Sequence, residues 1–191
     1  VLVVVIVHCH AVQRTAKAHH GDGGKAAQQT YGDAKDKAVR LEAADDIADV
    51  LKQVALDIIQ FHGDETPEDC QAIAAQVERR WYKAIQVKPE LDVVAEVQRF
   101  QQAGASAVLL DAWHPELKGG TGHSFDWSQF PKLDIPLILA GGLTPTNVED
   151  AIKTTGAYAV DVSGGVESAK GIKDQQLIEN FMQGVHRGSA K

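Results

Sequence analysis

The sequence predicts a single parallel α/β domain over residues 1–191, closed into a (β/α)8 barrel. Three observations carry this. Short apolar runs rich in branched residues recur along the chain, as strands covered on both faces do. Helical patterns lie between them, with short loops and no internal linker. The glycine pairs also come late: Gly141-Gly142 and Gly164-Gly165 close the last two strand patterns, where barrels commonly build a phosphate site. The rival architecture, an open doubly wound sheet, usually carries its glycine fingerprint in the first strand–helix turn. None stands there.

Taken in order, the elements read as follows. VLVVVIV at residues 1–7 is too short to span a bilayer. It has no basic residues before it and no small-residue cleavage pattern after it, so it reads as a buried strand and not a signal peptide. From His8 to about Glu42 the pattern is poor for a helix, with few large apolar residues and an interruption at Gly21-Asp22-Gly23-Gly24. Asp45 to Val54 carries Ile47, Val50, Leu51 and Val54 on one helix face. A strand follows at Asp57 to Phe61. Thr66-Pro67-Glu68-Asp69 gives an N-cap, a proline at the first helical position and acids in the first turn. Trp81 to Val87 is a strand, and Leu91 to Ala103 a helix ending at the C-cap candidate Gly104. Ala107 to Leu110 and Ile135 to Ala140 are strands. A helix starts at Thr146, a strand covers Tyr158 to Val162, and Asp174 to Val185 is the last helix.

Composition narrows the partners. The formal net charge of -7 argues against binding a nucleic-acid backbone, which needs a basic face. A small phosphorylated ligand remains compatible, because backbone N–H groups hold anions locally. Two cysteines, Cys9 and Cys70, make no disulfide framework, so a reducing, cytoplasmic setting is expected, with no membrane partner.

In a barrel the carboxyl ends of all strands face one mouth, and chemistry is found there. The polar residues at those ends are His62-Gly63, Asp111, Gly141-Gly142, Asp161 and Ser163-Gly164-Gly165. Asp111 directly follows Leu109-Leu110 and precedes a long loop instead of a helix, which favours catalysis over a plain turn role. A partly desolvated carboxyl there is expected to have its pKa raised towards the range of a general acid. His62 alone would suit a half-buried, satisfied histidine. Asp161 suits a contact to a substrate hydroxyl or amine, or a loop cap. The glycine pairs permit tight turns, and at neighbouring strand ends they also bring backbone amides close to an anion. His8-Cys9-His10 and His19-His20 resemble metal ligands, but their spacing fits no common zinc pattern, so no metal is expected. Lys83, in mid-strand, is a possible inward-facing amine.

With these residues in view, the chain resembles phosphoribosylanthranilate isomerase of tryptophan biosynthesis. The resemblance rests on QFHGDE at 60–65, LLDAWHPELKGGTGHSFDW at 109–127, LILAGGLTPTNV at 137–148, and AVDVSGGVES with GIKD within 159–174. It spans about residues 44–185 in the family's order. It implies a cofactor-free Amadori rearrangement of N-(5-phosphoribosyl)anthranilate to 1-(2-carboxyphenylamino)-1-deoxyribulose 5-phosphate. In that reading Asp111 matches the family's general acid. Gly141, Gly142, Ser163, Gly164 and Gly165 match its phosphate site. His62 and Asp161 match further active-site positions, and the GGTG loop matches a lid over the substrate.

The first part of the chain departs from the family. The Lys-Ile-Cys-Gly segment whose cysteine is the family's general base does not occur, nor does the Ser-Pro-Arg loop that binds the substrate's acidic end. Counting back from Asp45-Asp46-Ile47, VLVVVIV takes the place of the second strand, so the first β/α unit is expected to be absent or aberrant and residues 1–43 atypical. Three explanations stand side by side: a fragment, a misread or frame-shifted early sequence, or a diverged relative without activity. Cys9 follows an apolar strand and is a candidate for a displaced base. The rival functions are another phosphosugar barrel enzyme and a non-catalytic phosphate-binding relative.

Overall fold

The structure is a computed structural model that describes residues 2–4, 44–54, 56–88, 90–112 and 127–190. They fall in two units, Val7–Trp81 and the pair of segments Val1–Ile6 and Tyr82–Lys191. Strand β1 (Leu2–Val4) belongs to the second of these. Helix α1 (residues 44–53), strand β2 (Ile58–Phe61) and helix α2 (Pro67–Gln76) belong to the first.

In the smaller unit, α2 starts as its sequence dictates. The Thr66 hydroxyl accepts from the Asp69 N–H at 3.2 Å, and the Asp69 carboxylate accepts from the Thr66 N–H at 3.4 Å, a reciprocal capping box with Pro67 behind it. The helix buries Cys70, Ile73 and Ala74. Arg79 then donates to the Leu56 carbonyl at 2.8 Å, and Phe61 meets the Trp81 ring edge-on at 5.6 Å between centroids.

The larger unit continues with β3 (Arg80–Val87, from Tyr82 onward), α3 (Val93–Gln102), β4 (Ala107–Ala112), β5 (Leu137–Ala140), α4 (Val148–Thr155) and β6 (Ala159–Asp161). A short hairpin, β7 (Glu167–Ala169) and β8 (Ile172–Lys173), leads into α5 (Gln175–Ser189). The strands lie side by side in the order β1-β6-β5-β4-β3, all parallel. Alternation along each strand sends Tyr82, Ala84, Leu109, Ile138 and Ala159 into one buried cluster. It sends Val108, Leu110, Leu139 and Val160, each at most 1% exposed, to the opposite face. Burial on both faces is why these runs are continuously apolar.

Helices α4 and α5 pack closely because α5 presents glycines to α4. A Cβ at Gly188 would stand 3.0 Å from the Glu149 carbonyl oxygen, and one at Gly184 would stand 2.6 Å from Val148 Cγ1. This corrects the expectation that the last helix ends at Val185. Gly184 and Gly188 are packing residues, so the helix runs on to Ser189.

One pairing was not foreseen and one expectation is corrected. The VLVVVIV run supplies strand β1, which pairs with β6 in the register Leu2↔Ala159, Val3↔Val160, Val4↔Asp161. Counting residues back along the chain cannot reveal a hydrogen-bonding partner 150-odd positions away. Lys83 does not share the face of Tyr82 and Ala84. It is buried, with its ammonium 5.6 Å from the centre of the Phe100 ring on α3, a cation–π contact on the helix side of the sheet.

Candidate functional site

Asp111 is the fifth residue of β4 and is half-buried. It follows Leu109 by two positions, so it shares the face of the Tyr82–Leu109–Ala159 cluster, one step nearer the carboxyl ends. Its register partners are Gln86 on β3 and Ala140 on β5. Gln86 is an exposed amide beside Asp111 that the sequence reading did not single out; only the pairing register shows it. Asp161 ends β6, two positions beyond Ala159, and is half-buried on that same face. Tyr82 feels both its surroundings and this carboxylate. Burial, and then the negative charge of Asp161, push its phenol up to about 12.

The loop after β5 needs its glycines. Gly141 and Gly142 take φ of 88° and 63°, in the left-handed region that favours glycine. Asn147 ties the loop together. Its amide donates to the Gly142 carbonyl at 3.0 Å, and its side-chain oxygen accepts from the Thr144 N–H at 2.8 Å. It therefore precedes α4 without capping that helix through its side chain.

The loop after β6 runs through Ser163 into a single 3-10 turn, Gly164–Val166. A Cβ on Gly165 would lie 1.8 Å from the Leu143 carbonyl oxygen. The two glycine-pair loops are therefore in direct backbone contact. Lys173 on β8 holds the second loop from the other side, donating to the Ser163 carbonyl at 2.9 Å, the Ser163 hydroxyl at 3.3 Å and Glu167 at 2.6 Å. Glu167 in turn accepts from the Gly171 N–H at 2.9 Å. Lys173 lies within the GIKD motif, but a hairpin of two- and three-residue strands gives too short a period to recognise from sequence.

His62 lies in the smaller unit, directly after β2, and is exposed. Its Nδ1 is 3.3 Å from the Gln60 amide nitrogen. Cys9, the histidines at 8, 10, 19 and 20, and the GGTG loop lie outside the described residues. Among the described residues, no group of His, Cys, Asp and Glu is arranged to hold a metal ion, and no helix is long and apolar enough to cross a membrane.

A family model described as N-(5'-phosphoribosyl)anthranilate (PRA) isomerase matches residues 26–184. The chain belongs to this family. An Acinetobacter calcoaceticus N-(5'-phosphoribosyl)anthranilate isomerase is 81% identical over 148 residues, which are 78% of this chain and 70% of that one. A solved phosphoribosyl anthranilate isomerase from Thermotoga maritima is 38% identical, with a TM-score of 0.64 over 75% of this chain and 68% of that one. Another isomerase structure, in complex with reduced 1-(o-carboxyphenylamino)-1-deoxyribulose 5-phosphate, is 32% identical, with a TM-score of 0.59 over 75% of this chain and 66% of that one. The chain thus spans about two thirds of the length of these isomerases. The fold class is their α/β barrel, and the function is that of an isomerase of tryptophan biosynthesis.

Proposed function

We propose that Asp111 is the general acid in an Amadori rearrangement of N-(5-phosphoribosyl)anthranilate. A protonated Asp111 delivers its proton to the ribose ring oxygen, and the ring opens to an iminium at C1. Removal of the C2 proton gives an enolamine, which tautomerises to the ketone of 1-(2-carboxyphenylamino)-1-deoxyribulose 5-phosphate. Carbon 2 is oxidised as carbon 1 is reduced, so the reaction calls for no external electron carrier. Asp161 takes a substrate hydroxyl or amine. His62 is a further binding group. The phosphate is held by Gly141, Gly142, Ser163, Gly164 and Gly165, whose small residues let backbone amides approach an anion closely. The general base is assigned to no described residue; Cys9 keeps its candidacy. The compartment read from cysteine usage is cytoplasmic.

One observation supports this reading above the rest. Asp111, next to last in β4, and Asp161, last in β6, lie on one face at the carboxyl ends of their strands, and the loops that follow β5 and β6 touch each other at Gly165 and Leu143. Acid, substrate contact and phosphate loops then surround one small ligand.

The test follows turnover by loss of phosphoribosylanthranilate fluorescence. Asp111→Asn is expected to lower kcat by about 1,000-fold while binding the reduced product analogue nearly as the unmodified protein does. Full activity in that variant would remove Asp111 from the acid role. Analogue binding by the unmodified protein without any turnover would favour a non-catalytic relative.

A further inference from the structure

We infer that Lys173 is the positioning residue of the phosphate loop, acting through Ser163 and not by touching the ligand. The inference rests on the proposed phosphate site and names a residue that sets its shape.

An ammonium group has three N–H donors and no acceptor. In Lys173 all three have protein partners: the Ser163 carbonyl at 2.9 Å, the Ser163 hydroxyl oxygen at 3.3 Å and the Glu167 carboxylate at 2.6 Å. No donor is left for a phosphate oxygen, and the Glu167 carboxylate balances the charge. Two consequences follow for Ser163. Its carbonyl is drawn towards β8, which fixes the peptide plane leading into the Gly164–Val166 turn. Its hydroxyl oxygen accepts from Lys173, so the hydroxyl hydrogen is left to donate elsewhere.

The clamp is itself held in place. Glu167 takes a second hydrogen bond from the Gly171 N–H at 2.9 Å, which closes the hairpin turn, and the Lys173 and Gly171 contacts together hold its carboxyl below the usual range. The Asp174 N–H donates to the Val166 carbonyl at 2.9 Å, and the Asp174 carboxylate caps α5 at Leu177 at 2.9 Å. The loop is therefore pinned between the start of α5 on one side and the Leu143 carbonyl under Gly165 on the other. Removing Lys173 releases Ser163 and leaves both of these restraints in place.

The experiment measures binding of the reduced product analogue and of inorganic phosphate by calorimetry, alongside KM and kcat. Lys173→Met is expected to weaken both ligands and raise KM by about tenfold, with kcat at saturation within about twofold of the unmodified protein. Lys173→Arg, which keeps the donors, should recover most of the affinity. Glu167→Gln, which loosens the lysine without removing it, should shift both affinities in the same direction by less, and it serves if Lys173→Met does not fold. Unchanged affinity in Lys173→Met and Glu167→Gln would overturn the inference alone. So would equal weakening of an analogue that lacks the phosphate. No binding of either ligand by the unmodified protein would overturn the phosphate site and this inference with it.

Discussion

Gly165 presses on Leu143: a Cβ at residue 165 would stand 1.8 Å from the Leu143 carbonyl oxygen. The atom in the way is backbone, so no side-chain rotation relieves the clash. This contact holds together the two loops assigned to phosphate binding. Gly164, one residue earlier, has no atom within 4 Å of the corresponding position. Gly165→Ala is therefore expected to cost about 2 kcal/mol of stability and to weaken the reduced product analogue by at least about tenfold. Gly164→Ala should unfold at the same temperature as the unmodified protein. Thermal unfolding of the pair decides it, and equal behaviour of the two variants would show that the close approach has no consequence.

Tyr82 gives an alkaline prediction. Its phenol is pushed from 10.0 to about 12, by burial first and the charge of Asp161 second. In the unfolded chain the group ionises near its ordinary value, so between these two limits the folded protein holds the proton more tightly. The stability it contributes is complete below about pH 10 and is lost as pH rises towards 12. Urea unfolding from pH 8 to 11 should show a fall at the upper end that is shallower in Tyr82→Phe. An identical slope in the variant would mean that the phenol does not titrate in this environment.

Glu149 gives an acid prediction. It sits between Lys153 at 2.6 Å and Arg187 at 2.6 Å, and so joins α4 to α5. Those hydrogen bonds, that of Lys153 first, hold its carboxyl below 4.5. The contribution is present above the unfolded value and is lost as pH falls through the lowered folded one. Glu149→Gln should remove that part of the acid dependence, and added salt should reduce it in the unmodified protein, because the groups face water. Superimposable acid-unfolding curves would rule the ion pairs out as a source of stability.

Much of the fold was legible beforehand, and the reason is local. Thr66-Pro67-Glu68-Asp69 announces its helix because the capping partners sit three residues apart in the chain. The runs Ala107 to Leu110 and Leu137 to Ala140 announce buried strands because both of their faces are covered. Asp111, Asp161 and the glycine pairs stood out because polar or small residues at the ends of such runs are conspicuous. Helix α5 misled for the converse reason. Gly188 lies past the expected end at Val185, and only the surface of α4 opposite it explains a glycine within the helix there.

By itself the sequence determined the order of the longer strands and helices, the family, and which polar side chains stand near the carboxyl ends of the strands, since each depends on residues close together in the chain or on a matched motif. The tertiary structure decided what pairing distant segments creates. It set β1 beside β6, turned Lys83 towards Phe100, placed Gln86 next to Asp111 and folded Lys173 back onto Ser163. A ladder register or a hydrogen bond between elements is a relation between two places in the chain, and neither place carries it alone.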